Sequence, residues 1–538
     1  MLLNKNVLKN NLGLIIIILF ALSLTAIILL KNTNEAFLGH SYRDVYLYLI
    51  SALKLSGMKI VGYDYVDYLS PLIPFLTSIL FNLGFISKTS IYLTTGIFYF
   101  LGIIGIYLIL KLKFKDLIAI FGTILYSMLA INILWAANGT LDIPSISLAI
   151  WALYIFILGI EKNQKFLYLT FPLIVLTFFG KYTGALVVPL MALYFLSKKD
   201  ILGNIKKYFK NLVIGLFFGI LTLIPFLAYF ILNDIPFGFL NQAGEVASKT
   251  STTATSGGKL IGNDLFFYIK GLVYDISSTE YIYGAIILIS IVIGLILLVY
   301  KFLNILKENY GDLKVYLALI LSFILIIISF LTASLFSFIY SEIILFLGLL
   351  LLSKSLEKIS PNSFPYLSLN ITMIGFFMVY LVFFTSHLTK ADRYFTAMAP
   401  GFIYIATLAI DYITHSYKKI DKILPIALII ILLISGGVFL SKDKTDSLVN
   451  YEENAATWIM KESPDYKNLT IYADRGPIFT WYLKHSVFYV KDSYTSDELN
   501  DKMIEDNATY YIRLGDEMNF TDYKKVKNFK DVIVYKRI

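Results

Sequence analysis

The chain has 538 residues, of which 58% are hydrophobic, and its mean hydropathy is +0.73. A soluble protein must cover its surface with polar groups, so this composition excludes a soluble protein and predicts an all-α polytopic membrane protein. In such a protein the net charge of +9 reports topology and does not indicate nucleic-acid binding. The absence of cysteine excludes disulfides, thiolate metal ligands and cysteine nucleophiles.

Apolar runs long enough to cross a membrane recur along most of the chain. The first run follows a weakly basic start and is too long for a cleaved signal, so we interpret it as an uncleaved span with the N-terminus in the cytoplasm. About thirteen spans are predicted. They are 12–30, 90–110, 117–137, 143–160, 166–180, 182–197, 211–232, 281–300, 315–333, 335–352, 365–385, 395–413 and 423–440.

Lysine and arginine follow the positive-inside rule if the short apolar stretch 70–85 is not counted as a span. We therefore expect the first external loop, 31–89, to hold two helices that lie in the outer membrane interface, at 43–57 and 70–85. Tyr46 and Tyr48 of the first helix would then lie among lipid headgroups, where aromatic rings with a polar tip are favoured.

The domain prediction is a transmembrane module at 1–440 and an external soluble domain at 441–538. In the tail, NYEENAATWIMKE has helical spacing, and NLTIYAD, ATYYIRL and KDVIVYKRI have the pattern of strands. This predicts a small α/β domain. The external loop 233–280 is long and rich in Ser, Thr and Gly, which is typical of a flexible linker or of a lid over a site.

Polar residues gather in four segments on the predicted outer side, at the depth of lipid headgroups. They are Asp44 beside Arg43, Asp142 in NGTLDIPS, Lys181 in GKYTG, and Asp392, Arg393 and Tyr394 in KADRYF. Cations at this depth suit the phosphate of a lipid-linked sugar and would stabilise it as it leaves. A carboxylate would take the proton of the attacking hydroxyl.

Each candidate also has a structural interpretation. Asp44 could be a carboxylate favoured by a helix N-terminus, and Asp142 could be an N-cap-like residue. Lys181 could mark the end of a loop, and Arg393 could pair with Asp392 at the surface.

Ionisable residues inside the spans are few, chiefly Glu342 and Asp411. A proton-coupled transporter usually has more of them, with broken helices in matched halves. We expect Glu342 to be a paired structural residue. His40 and His387 are both on the outer side, which leaves a metal site open.

The order of these features resembles the GT-C glycosyltransferases, among them the protein O-mannosyltransferases and the aminoarabinose transferases that modify lipid A. The loop of that family typically reads Asp-Glu-x-x-Tyr-x-x-x-Ala. Asp44, Tyr48 and Ala52 match this pattern, and Val45 replaces the Glu. The Pro-Pro-Leu stretch of its second interfacial helix is Ser-Pro-Leu here, at 70–72.

Two later segments carry the same likeness. GKYTGALVVPL resembles the family's Lys-Gly-Pro turn and keeps Lys181. DRYFTAMAP resembles its Arg-Tyr…Pro segment and keeps Arg393, Tyr394 and Pro400. The likeness covers about residues 10–440, and the tail resembles the small outer domain of some members.

The resemblance implies an inverting transfer with Asp44 as the general base. Asp142 would orient the acceptor or a metal. The residues implied to bind the lipid phosphate are Lys181, Arg393 and Tyr394, with Arg43 and Tyr48 in support. No metal ligand set is assigned, but a divalent cation stays open, and Glu35, Asp64 or Asp67 could replace the missing Glu.

The predicted function is transfer of a sugar from a polyprenyl- or dolichyl-phosphate donor to a protein, lipid or glycan acceptor outside the cytoplasm. The partners would be these substrates and membrane lipids, without nucleic acid. Two alternatives stay open. One is a transporter or flippase for a lipid-linked sugar, and the other is a surface polysaccharide polymerase or ligase with a lipid-diphosphate donor.

The topology makes a direct prediction. A reporter fused after Lys113 should be cytoplasmic, because the basic loop that follows the second span lies inside if 70–85 does not cross the membrane. Alkaline phosphatase and green fluorescent protein fusions at this residue report the two sides. A phosphatase signal at this residue would contradict the topology and every side assignment above.

Overall fold

The computed structural model describes residues 11–39, 43–58, 60, 69–198, 205–232, 264–278, 280–308, 313–335, 338–359, 366–387, 390–445, 447–490 and 494–538. The predicted fold class is confirmed: the described chain is mostly helical and ends in a small domain with one sheet. The helices before that domain are α1 Leu12–Asn34, α2 Arg43–Leu55, α3 Leu72–Asn82, α4 Lys88–Lys111, α5 Asp116–Met128, α6 Ala130–Trp135, α7 Asp142–Glu161, α8 Leu167–Gly180, α9 Val187–Leu196, α10 Ile205–Leu232, α11 Phe267–Lys270, α12 Leu272–Ile276, α13 Tyr281–Glu308, α14 Leu313–Thr332, α15 Phe338–Ile359, α16 Leu367–Ser386, α17 Phe395–Ser416 and α18 Ile423–Ser441.

Ten helices of the described chain are long and apolar enough to cross a membrane. They are α1, α4, α7, α10 and α13 to α18. The other three predicted spans fall on shorter apolar helices. The span predicted at 117–137 is divided into α5 and α6 because Leu129 between them has an extended backbone, with ψ at 127°. The spans predicted at 166–180 and 182–197 correspond to α8 and α9.

Both helices predicted in the first external loop are present as α2 and α3. Their position at the membrane surface stays a prediction. The expectation that Tyr46 and Tyr48 lie among headgroups is wrong, because both side chains are buried within the protein. Other parts of the protein cover the apolar face of α2, and this explains its amphipathic pattern.

The chain divides into two compact units. The first consists of Met1–Ala26, Ile97–Ala136 and Leu141–Lys442. Within it α7, α16 and α17 are mostly buried, whereas α10, α13 and α14 expose most of their apolar side chains. A helix that is apolar all round must be surrounded by protein or by lipid. The second group therefore fits the lipid-facing surface of this unit.

The second unit consists of Ile27–Gly96, Ala137–Thr140 and Asp443–Ile538. Its last segment contains α19 Ser447–Glu462, β1 Thr470–Ala473, α20 Gly476–Leu483, β2 Phe488–Tyr489, α21 Ser496–Glu505, β3 Ala508–Leu514, β4 Tyr523–Phe529 and β5 Val532–Arg537. The strand order is β2-β1-β3-β5-β4. β1 is parallel to β2 and β3, and β5 is antiparallel to β3 and β4.

Alternate residues of the strands face opposite sides of this sheet, as the period of two requires. Tyr510 and Ile512 of β3 pack with α19 and α20. Tyr511, between them in sequence, packs on the other side with α21. Both faces of the sheet are thus covered by helices, and the predicted helix and three strands are all present.

Helix α20 also packs against α2, within the same unit. The hydroxyl oxygens of Tyr46 and Tyr482 are 3.3 Å apart, and burial raises the pKa of both groups, so both hydroxyls remain protonated and can hydrogen-bond. Trp481 stacks on Phe81 of α3, with ring centroids 6.0 Å apart. The last segment of the chain therefore packs against both helices of the first external loop through α20.

A buried ion pair lies in this unit. Glu452 is only 1% exposed and binds Arg475, with Oε1 2.7 Å from Nη1. Because a buried carboxylate without its cation is costly, we expect Arg475→Met to lower the free energy of unfolding by about 3–5 kcal/mol. Pulse proteolysis of the full-length protein in urea and detergent would measure this loss.

The matched control is Lys502→Met, which removes a lysine from exposed ion pairs with Glu505 and Asp506. Surface pairs contribute little, so this variant should unfold as the wild type does. If Arg475→Met is as stable as wild type, or if both variants lose equal stability, the ion pair of Glu452 and Arg475 does not stabilise the fold as proposed.

Candidate active site

Asp142 lies in the first turn of α7 and has a nearly buried side chain. Two cations contact its carboxylate. The Lys181 ammonium donates a hydrogen bond to Oδ1, and Nη1 of Arg393 lies 3.9 Å from Oδ2. The structure thus brings together three of the residues singled out in the sequence, all within the first unit.

Backbone geometry at two helix ends places these cations. Helix α8 ends at Gly180, and Lys181 has an extended backbone with φ at −163°. The hydroxyl of Ser145 in α7 donates to the carbonyls of Thr177 and Lys181, at 3.2 and 3.3 Å, which ties this turn to α7. Arg393 lies in the short 3-10 turn Asp392–Tyr394 that precedes α17.

Aromatic rings surround the cations. Tyr394 is shared by both: the Lys181 Nζ is 5.1 Å and the Arg393 Cζ 5.3 Å from its ring centroid. Arg393 also lies 6.0 Å from the ring of Trp135. Tyr394 in turn stacks on Phe384, at 4.4 Å. Cation–π contacts hold a cation without neutralising it, so the positive charge persists.

Two cations contact the single carboxylate of Asp142. The Lys181 side chain is 22% exposed, whereas those of Arg393 and Asp142 are 10% and 3% exposed. A cation that solvent can reach is able to bind an anion, and phosphate is among the anions that Lys and Arg bind well. The cluster is therefore suited to a phosphate or phosphodiester.

The same charges argue against a metal at Asp142. Two fixed cations against one carboxylate would repel a divalent ion. Within the described ranges, no three side chains among His, Asp and Glu come close enough together to hold a metal. These residues do not fit a divalent cation.

Lys390 was not predicted from the sequence. Its buried ammonium donates to the carbonyls of Phe384, Thr385 and His387, at 3.2, 2.5 and 2.5 Å, and so completes the C-terminal end of α16. His387 itself has its Nδ1 3.0 Å from the Phe383 carbonyl oxygen, and burial lowers the pKa of its imidazole to about 4. His40, its predicted companion, lies outside the described residues.

Asp275 of α12 is the second residue that the sequence did not indicate. It is 3% exposed, and burial raises the pKa of its carboxyl to about 8, with the nearby charge of Asp392 acting in the same direction. Tyr268 of α11 interacts electrostatically with Tyr394 and both aspartates. The end of the predicted loop 233–280 therefore lies beside the cluster, whereas its first part, 233–263, is outside the described residues.

The remaining predicted residues lie in the second unit. Asp44 is in the first turn of α2 and is half-buried. Tyr48, one turn later, is 8% exposed. Arg43 begins α2, but its side chain is not among the described parts of the chain.

Three residues were considered as substitutes for the family Glu that Val45 replaces, and the structure describes one of them. Glu35 forms an ion pair with Lys31 at 2.8 Å and accepts a hydrogen bond from the backbone N–H of Lys444 at 2.8 Å. It is therefore engaged in packing within the second unit. Asp64 and Asp67 lie outside the described residues.

The part of the chain that the structure describes combines ten apolar helices of spanning length with a small α/β domain, as expected of a multi-pass membrane protein. The family model of the dolichyl-phosphate-mannose-protein mannosyltransferases matches residues 69–229. This segment includes Asp142 and Lys181, but neither Asp44 nor Arg393. The chain matches no curated protein sequence at a significant level.

The fold is similar to that of ArnT from Cupriavidus metallidurans. The similarity to the structure with undecaprenyl phosphate has a TM-score of 0.59 at 10% identity, over 98% of each chain. The apo structure gives 0.57 at 12% identity, over 97% of each. The Archaeoglobus fulgidus oligosaccharyltransferase gives 0.52 at 13% identity, over 93% of this chain and 69% of that one.

These similarities confirm the resemblance inferred from the sequence, to the GT-C glycosyltransferases and within them to the mannosyltransferases and ArnT. The family match and the structural similarity therefore agree on a multi-pass membrane protein with a GT-C-like fold.

The buried carboxyl of Asp275 makes the stability of the protein depend on pH. Its carboxyl keeps a proton in the folded state between about pH 4, the usual pKa, and about pH 8. The unfolded chain loses that proton, so stability falls as pH rises through this window, by up to about 1.4 kcal/mol per unit. Asp275→Asn should remove this slope and be relatively more stable above pH 8, as measured by melting temperature against pH.

A control variant for this experiment is Asp443→Asn, whose side chain is 93% exposed. It should keep the wild-type slope. If Asp275→Asn also keeps it, the carboxyl is ionised in the folded protein and the assignment fails.

Proposed function

We propose that the protein is an integral-membrane glycosyltransferase that moves a sugar from a polyprenyl-phosphate donor to an acceptor on the outer face of the membrane. The observation that carries the proposal is the cluster in which Asp142 holds two cations, Lys181 and Arg393. Such a cluster recognises the group that a lipid-linked sugar releases.

The choice of a lipid phosphate rests on the setting of the cluster. It lies at the ends of α7, α8 and α17, of which α7 and α17 are long enough to span a membrane. At the end of a span, a ligand can keep its phosphate at the headgroup layer and its hydrocarbon tail in lipid. ArnT, whose fold is similar, has been solved with undecaprenyl phosphate, which supports the same class of donor here.

The proposed reaction is a single displacement with inversion. The oxygen of an acceptor hydroxyl bonds to the anomeric carbon as the bond from that carbon to the phosphate oxygen breaks. The electron pair leaves on the polyprenyl phosphate, whose developing charge Lys181 and Arg393 stabilise. The hydroxyl proton passes to the carboxylate of Asp44, a role that rests on the resemblance of its segment to the family.

Asp142 then has a positioning role in place of metal binding. Its carboxylate fixes the ammonium and guanidinium groups in a water-poor setting before the donor arrives. Preorganised cations stabilise a leaving phosphate without reorganisation during the reaction. Tyr394 supports the same geometry through its ring, since both cations lie against it.

Packing in the second unit supports the role given to α2. A catalytic base must be held on a rigid element. Helix α2 is fixed by the Tyr46–Tyr482 contact on α20, and nearby Lys88 of α4 binds Glu453 of α19. The last segment of the chain is thus part of the framework that carries Asp44.

The decisive test compares wild-type protein with Asp44→Asn in host membranes, supplied with a panel of radiolabelled polyprenyl-phosphate sugars. We expect wild type to transfer one of these sugars and the variant to be slower by about 10²–10⁴-fold, the usual contribution of a general base. Asp443→Asn, an exposed change of the same chemistry in the same unit, should be as active as wild type.

Gel filtration must show the same folded species for all three proteins. Equal transfer by wild type and Asp44→Asn would exclude Asp44 as the base. Movement of the labelled lipid across the bilayer without a new glycosidic bond would instead establish the flippase alternative. Transfer that requires a lipid-diphosphate donor would establish the polymerase or ligase.

A further inference from the structure

A groove separates parts of α8 and α10 in the first unit. Its volume is about 470 Å³, within the range of small-ligand sites. Its walls are almost entirely apolar. The lining residues are Lys165, Tyr168, Leu169, Pro172, Phe218, Leu221 and Thr222.

The groove exists because the two helices touch closely along one side only. A Cβ on Gly215 would lie 2.4 Å from the Leu167 carbonyl oxygen, and one on Gly219 would lie 2.8 Å from Phe171. This is the small-residue packing typical of helices in membranes. The rings of Tyr168 and Phe218, with centroids 6.1 Å apart, line the groove beside this close contact.

The groove has one polar end. The Tyr168 hydroxyl donates to Oδ1 of Asn211 at 2.8 Å, and Nδ2 of Asn211 donates to Oε1 of Gln164 at 2.7 Å. These bonds join the beginnings of α8 and α10. Lys165, which lines the groove, is exposed at this end.

This end is strongly basic. Four more exposed lysines flank the hydrogen-bonded residues in sequence: Lys162, Lys206, Lys207 and Lys210. No Asp or Glu occurs in 162–181 or 205–232. Glu161, which precedes Lys162 in sequence, already binds Lys198 and Tyr194. An apolar groove that ends beside several exposed lysines is complementary to a lipid with a negative headgroup.

We propose that this groove binds an acyl chain of an anionic phospholipid, whose phosphate lies against Lys165. The lysine-rich connections that begin α8 and α10 are cytoplasmic by the lysine distribution, so the lipid belongs to the inner leaflet. Basic pockets between transmembrane helices on that side bind anionic headgroups. The proposal is independent of the proposed function.

Because the chain has no cysteine, one engineered cysteine can be labelled selectively. Leu169→Cys places a bimane fluorophore in the groove at a residue that is already 55% exposed. The protein is reconstituted in phosphatidylcholine vesicles with a small fraction of one brominated lipid. This lipid is either phosphatidylglycerol or phosphatidylcholine, and its acyl chains carry the bromine. Bromine quenches the fluorophore only at short range.

At equal mole fraction, brominated phosphatidylglycerol should occupy the groove about fivefold more tightly than brominated phosphatidylcholine, which is the effect of about one lysine near an anionic lipid. The additional change Lys165→Gln should reduce this preference towards unity, and Lys165→Arg should keep it. The control label is Ile220→Cys, 49% exposed on another face of α10 at a similar depth, where both lipids should quench equally.

Three results would overturn the proposal. The first is equal quenching by both lipids at Leu169→Cys. The second is a preference that survives Lys165→Gln or occurs equally at Ile220→Cys. The third is displacement of the brominated phospholipid by a trace of polyprenyl phosphate, which would make the carrier lipid the occupant.

Discussion

The buried carboxylate of Asp142 is the constraint on which the first unit depends. A carboxylate in this position is stable only if cations accompany it, and Lys181 and Arg393 come from two other parts of the chain. Their side chains tie the ends of α7, α8 and α17 to one point. The interaction that stabilises this part of the fold therefore also places the two cations on which the proposed function rests.

The sequence predicted those features that depend on local patterns of residues. Apolar runs identified the spans, and cations in short polar segments between predicted spans singled out Lys181 and Arg393. The remaining features depend on packing. Asp275 is an ordinary aspartate in a polar loop until the fold buries it, and Tyr46 has an interfacial pattern until α20 covers it. No sequence pattern indicates the role of Lys390, because its ammonium binds backbone carbonyls.

The similarity to ArnT extends over 98% of each chain at 10% identity. At this identity the fold is maintained by helix lengths and by the pattern of apolar residues, and few individual side chains are shared. Function must then be argued from the site itself. Here the site offers two cations, Lys181 and Arg393, on the buried carboxylate of Asp142.

The contact between Tyr46 and Tyr482 joins residues 436 positions apart in the chain. During synthesis, proteins emerge and fold from the N-terminus. Helix α2 therefore leaves the ribosome long before α20, and its apolar face stays without its final cover while all the later spans are inserted. The second unit is therefore completed only after every span of the first unit has been synthesised.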